Sequence, residues 1–152
     1  MIFCSLADLP AMAEQEFAGV GSVVITQRDI DMFALSTGDE QWIHVDPTRA
    51  SSGPFGSTIA HGYLLLALLG GFWTRTFEVG DASEALNYGL DRVRFLQPVL
   101  VDSEISMRGI IRTVKPLVGE RDGVRIHTDV ELFANQGKRP IAVATTILQY
   151  MR

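Results

Sequence analysis

The sequence predicts an α+β domain in which an antiparallel sheet wraps around one buried helix. Residues 58–72 carry Ile59, Tyr63, Leu64, Leu65, Leu66, Ala67, Leu68 and Leu69 and leave no polar face. A helix apolar all round is covered on all sides. From Ala85 onward four β-patterned stretches follow one another, and consecutive strands without intervening helices imply antiparallel pairing. The length of 152 residues and the apolar content of 47% suit one core, so residues 1–152 read as a single domain. In a chain this small, a sheet curled around such a helix is the simplest way to bury it.

The elements follow in order. Ser5 to Glu16 reads as a short helix with Ser5 as cap and Asp8 three residues on. Glu16 to Ile25 is β-rich around Val20, Val23 and Val24. Thr26 then caps a second helix, with Asp29 in the place of the glutamate of a capping box. Ile30, Phe33 and Ala34 give it one apolar face, and Gly38 ends it. Asp46-Pro47 starts one short helical turn. Ser51 to Ser57 is a loop punctuated by Gly53, Pro54 and Gly56, too compact for a large lid. The long apolar helix runs from Thr58 to Phe72. The first late strand, Leu86 to Phe95, loses its alternation near Asp91, where a bulge is expected. Glu104 to Val118 and Val124 to Leu132 alternate, with His127 on the polar parity and hence at the surface. Gly119 to Gly123 and Asn135 to Lys138 read as turns, and Ile141 to Tyr150 as the last strand.

Several function classes are excluded. A net charge of −5 argues against a general nucleic-acid binder. The longest apolar run, Gly62 to Trp73, falls short of the ~20 residues that span a bilayer, so no membrane partner is expected. Met1 to Ser5 lacks a basic start and a long apolar core, which points to a cytoplasmic location. The single cysteine, Cys4, rules out an internal disulfide and reads as an idle or buried thiol. Nucleophile-elbow, phosphate-loop and dinucleotide patterns do not occur.

The chemistry concentrates in Ser36 to Pro47 and in Ile59-Ala60-His61-Gly62. Asp39 and His44 are five residues apart, which on a helix would point them ~140° apart. If they cooperate, they do so from irregular chain. A carboxylate beside an imidazole suits acid–base work near neutrality. The residues alone leave a second reading open, in which Asp39 caps a turn and His44 is merely a polar loop residue. Gly62 lies at a helix start, where unpartnered N–H groups favour developing negative charge. It either lets a ligand approach the backbone or packs helix against sheet. A hydrogen bond at the helix start is the favoured reading of His61. Trp42, beside Gln41, lines a pocket or anchors the loop. Asp39, His44, Asp46 and His61 match no metal-ligand spacing, so no metal is expected.

Phe33-Ala34-x-x-Thr37-Gly38-Asp39-x-x-x-Ile43-His44 followed by Ala60-His61-Gly62 resembles the MaoC-like (R)-specific enoyl-CoA hydratases. Gly38 to Asp46 and Thr58 to Tyr63 are similar to their nodulation-protein-N-like branch, and the likeness extends through Asn87 to Phe95. The resemblance implies a hot dog fold, a homodimer, and reversible hydration of a trans-2-enoyl-CoA to an (R)-3-hydroxyacyl-CoA. It implies that Asp39 and His44 activate water and that the Gly62 N–H polarises the thioester carbonyl. Coenzyme A would belong to the substrate, with no further cofactor. The family pattern reads Asp-x-Asn-Pro-Leu-His, and here the matching residues are Asp39-Glu40-Gln41-Trp42-Ile43-His44. Gln41 and Trp42 are therefore expected to bear on substrate choice, with His61 in the binding set. Arg94, with Arg92 beside it, is the candidate for the coenzyme phosphates, from the partner subunit or the same one; a solvated strand face is the other reading of both. A thioesterase on the same fold and a non-catalytic acyl-CoA-binding subunit are the competing functions.

Overall fold

The structure is a computed structural model and describes residues 1–117, 119 and 122–152. Its main sheet has six strands in the order β2-β6-β7-β8-β5, with β3 also paired to β6. These are β2 (Glu16–Ala18), β3 (Val23–Val24), β5 (Glu84–Phe95), β6 (Glu104–Pro116), β7 (Gly123–Ala134) and β8 (Ala142–Met151). Every pairing in this sheet is antiparallel, as expected from consecutive strands. The order is not a simple meander, because β5 crosses over to pair with β8. A separate parallel pair joins β1 (Ile2–Cys4) to β4 (Phe77–Val79).

Local sequence rules account for much of this. Thr26 and Asp29 form the reciprocal capping box of α1 (Gln27–Thr37), and Gly38 closes it in the left-handed conformation at φ 77°. Asp46 caps α3 (Pro47–Ser51) by accepting from the Arg49 N–H, with Pro47 in the first turn. Asn135 and Gln136 both have positive φ, the conformation of a tight hairpin turn between β7 and β8. Ile105, Met107, Gly109 and Ile111 are buried on one parity of β6, and Ile126, Thr128, Val130 and Leu132 on one parity of β7. The register of β5 on β8 shifts between Asp91 and Arg94, at the expected bulge, and again between Asn87 and Gly89. In the turn expected at Gly119 to Gly123, Glu120 and Arg121 lie outside the described residues, as does Val118 at the expected end of β6.

Three expectations change. Ser5 to Glu16 holds only a 3₁₀ turn, Leu9–Met12, because Pro10 lies in its first turn and Ala13 is already extended. The long helix, α4, spans Gly62–Thr76 rather than 58–72. Thr58 to Ala60 are held in extended pairing: Ala60 N–H donates to Val99, and Val101 N–H donates to Thr58. Within one chain α4 also has an uncovered side. Leu65, Leu69, Phe72, Trp73 and Thr76 are buried, whereas Tyr63 is 71% exposed.

The core has two parts. Ile30, Leu65, Leu69, Phe72, Ile105, Met107 and Val130 fill the region behind the first half of α4. Leu9, Trp73, Phe77, Ile111, Ile126, Leu148 and Tyr150 fill its far end.

Candidate active site

Asp39 lies just past the end of α1, and His44 lies on α2 (Trp42–Val45), a single turn capped by Gln41. His61 and Gly62 begin α4. Three contacts draw these segments together. The Gln27 amide donates to the His44 carbonyl at 2.8 Å, and Thr58 Oγ1 donates to Gln27 Oε1. The Ile59 N–H donates to the Ile43 carbonyl. Gln27 was legible only as part of a helix start.

His44 is 7% exposed, and its Nδ1 lies 2.7 Å from the Ile59 carbonyl oxygen. A carbonyl only accepts, so Nδ1 carries the hydrogen and Nε2 keeps a lone pair. Burial pushes the His44 pKa below its ordinary value, and the neighbouring His61 adds to this; the Ile59 bond and Asp39 oppose it. His61 Nε2 lies 2.9 Å from the Asp39 main-chain oxygen and, by the same reasoning, donates to it. The two imidazoles stack, with ring centroids 3.8 Å apart and planes 25° from parallel. One nitrogen or carboxylate oxygen from each of Asp39, His44 and His61 lies within 4.8 Å of the other two. Asp39, just past α1, and His44, on the helical turn α2 rather than in irregular chain as expected, therefore come close together, and His61 joins them.

Gly62 occupies the first position of α4, where its N–H has no intrahelical acceptor. Its other side is close-packed: a Cβ there would lie 2.8 Å from the Phe95 ring. Both readings of Gly62 are thus compatible with one geometry. Phe95 was invisible as a site residue, because only the strand-end register brings it to the helix start.

The remaining expected residues sit further out. Gln41 is exposed, and its carbonyl accepts from the His44 N–H at 2.9 Å. The Trp42 ring is held between the Arg49 guanidinium, 4.3 Å from its centroid, and Gly53, where a Cβ would approach within 3.0 Å. It anchors the loop after α3. Arg94 pairs in register with Val143, which pairs with Glu131 and through it with Arg108, on the face of the sheet opposite Phe95. Arg92, at φ 52° in the bulge, reaches Asp129 and Thr145 on that same outer face. A cavity of about 710 Å³ lies there, lined by Arg92, Arg108, Arg112, Asp129, Glu131 and Thr145 among others, none of them near the histidine pair. Within one chain the arginines are not brought to Asp39 and His44. His127 is half-buried, with Nδ1 3.1 Å from Thr113 Oγ1, rather than a free surface group.

Residues 8–123 match the MaoC-like domain. The chain belongs to the MaoC-like dehydratase family. It is 41% identical over 149 residues, 98% of this chain and 97% of the relative, to 3-hydroxyacyl-thioester dehydratase Z of Mycobacterium tuberculosis. It is 43% identical over 109 residues to nodulation protein N of Rhizobium leguminosarum, covering 70% of this chain and 68% of that protein. Among solved structures, an (R)-hydratase from Pseudomonas aeruginosa superposes with a TM-score of 0.68 at 24% identity, over 90% of this chain and 79% of that one. That likeness establishes the hot dog fold of this MaoC-like chain. Dehydratases and hydratases are hydro-lyases, the class named by the Mycobacterium tuberculosis relative and the Pseudomonas aeruginosa structure, and this chain is of that class.

Proposed function

We propose that this MaoC-like protein is an (R)-specific hydratase that adds water reversibly to trans-2-enoyl-CoA. The observation that carries the reading is the neutral, buried His44, with its open Nε2, beside Asp39 at a helix start. A water held by the pair gives a proton to it as the water oxygen bonds to the β-carbon. A proton from the pair is returned to the α-carbon, so the pair is unchanged over one cycle. Negative charge that develops on the thioester oxygen is met by the Gly62 N–H and the positive end of α4.

No further cofactor enters this scheme. No helix among the described residues is long and apolar enough to cross a membrane. The protein is further proposed to act as a homodimer. Support comes from the long edge strand β5, whose Leu86, Tyr88, Leu90 and Phe95 are exposed, together with Tyr63 on the uncovered side of α4. A partner there would also decide whether an arginine reaches the coenzyme phosphates.

The test is loss of the enoyl absorbance with crotonyl-CoA and longer trans-2-enoyl-CoAs, with chiral analysis of the product. Hydration to the (R)-alcohol is expected. Release of free thiol without hydration would favour the thioesterase, and binding without turnover a non-catalytic subunit. Because the folded-state pKa of His44 is depressed, the base stays neutral further into acid. The acidic limb of kcat/KM is expected below the ordinary imidazole value of about 6.5.

A further inference from the structure

We infer that His61 is a positioning residue that holds Asp39 and His44 in register with each other, rather than a substrate-binding one. The inference rests on the acid–base reading of the site and goes beyond it, since the His61 hydrogen bond goes to a main-chain carbonyl and not to a reacting group. At 2% exposure His61 offers almost no surface to a ligand. It stands at the N-cap of α4, yet its side chain makes no capping bond to its own helix.

The side chain is instead committed to three other segments. Its Nε2–H reaches the main-chain carbonyl of Asp39, 22 residues away in sequence. Asp39 itself is exposed, and its own N–H has only a 3.4 Å contact with Thr37 Oγ1. The bond from His61 is therefore the shorter of the two hydrogen bonds made by the Asp39 backbone. The ring stacks on His44, and Phe33 of α1 lies against it with centroids 5.0 Å apart. One residue thus fixes the acid's main chain and the base's ring plane together.

The second ring nitrogen explains why the donor is dependable. Nδ1 is buried and has no hydrogen-bond partner. A hydrogen on Nδ1 would be a buried N–H without an acceptor, so the hydrogen-bonding pattern selects Nε2–H. The titratable groups that face it are Asp39 from the loop and His44 from α2; α1 contributes the uncharged Phe33.

Two substitutions separate the contacts. His61→Phe keeps a ring to stack and removes the donor; His61→Gln keeps a donor and removes the ring. With crotonyl-CoA, His61→Phe is expected to lower kcat about 10- to 100-fold, the scale of a small misplacement of reacting groups, with KM little changed. His61→Gln is expected to recover part of that loss. In both, the acidic limb of kcat/KM is displaced from its wild-type position, because the ring stacked on His44 and the tie that sets Asp39 beside it are not both kept. The same shift is read without turnover by NMR titration of the His44 ring. A folded His61→Phe with wild-type kcat and an unmoved His44 titration would overturn the inference. If His61→Phe does not fold, an unmoved titration in His61→Gln overturns it. If the wild-type protein does not hydrate enoyl-CoA, the hydratase reading fails by itself, and the NMR titration still decides the role of His61.

Discussion

The two ends of α4 use similar materials in opposite ways. At the far end, Trp73 Nε1 donates to the Tyr150 hydroxyl at 2.6 Å, and Thr76 Oγ1 donates to the Phe72 carbonyl at 2.7 Å. Phe17 and Phe77 meet Trp73 at 5.9 and 4.6 Å between centroids. These polar tips are satisfied inside an apolar cluster, which gives rigidity and no chemistry. At the near end, two imidazoles are equally buried, but His44 Nε2 keeps its lone pair and His61 Nδ1 has no partner. Burial with every polar atom paired stabilises a fold. Burial with selected atoms left open shifts pKa values and prepares a site.

Breaking each end should therefore give opposite phenotypes. Asp39→Asn removes a proton carrier from an exposed position. It is expected to lower kcat about 10³- to 10⁴-fold while the thermal midpoint stays near wild type. Wild-type turnover in steady-state assays would remove Asp39 from the mechanism. Trp73→Ala empties the far cluster and is expected to destabilise by about 3–5 kcal/mol in urea unfolding. Its folded fraction should keep the wild-type kcat, because residue 73 lies about 16 Å along the helix from residue 62.

The same contrast explains how much could be read from the sequence. Contacts local in sequence were legible: the Thr26–Asp29 box, the Asp46-Pro47 start, the alternation of β6 and β7, and the Asp39, His44 and His61-Gly62 positions. Contacts set by distant pairing were not. Thr58 to Ala60 look helical until Val99 and Val101 take their backbone groups. Which way Arg94 points is open until the register after the bulge is set; it then faces the outer side of the sheet, opposite Phe95. The stacking of His61 on His44 depends on three segments meeting, which no spacing rule encodes. The far cluster likewise hides in the sequence as scattered aromatics, since Trp73 and Tyr150 are 77 residues apart.

Gly62→Ala sharpens the comparison at the boundary between packing and chemistry. The added methyl would stand 2.8 Å from Phe95 Cε2, so the ring must move. Phe95 is half exposed on the edge strand and can give way. The helix preference of Ala over Gly, up to about 1 kcal/mol, offsets part of the strain. The expected change in stability is thus within about 1 kcal/mol, whereas kcat/KM should fall roughly 10-fold or more as the methyl crowds the N–H. A large loss of stability with kcat/KM intact would make Gly62 a packing residue only.

Tyr150→Phe is the smallest change and isolates the far end's polar pair. Burial pushes the Tyr150 pKa upward, so the phenol is neutral at working pH and its oxygen is free to accept from Trp73. Removing the hydroxyl leaves the indole N–H buried without its acceptor, while the ring volume and the aromatic contacts persist. The cost is then that of one unsatisfied donor, about 1–2 kcal/mol, seen as a lower urea midpoint with an unchanged slope. Because nothing at the helix start depends on this bond, kcat, KM and the acidic limb should all match wild type. A shifted limb would mean that the two ends of α4 are mechanically linked, and the separation between a paired end and an open one would no longer hold.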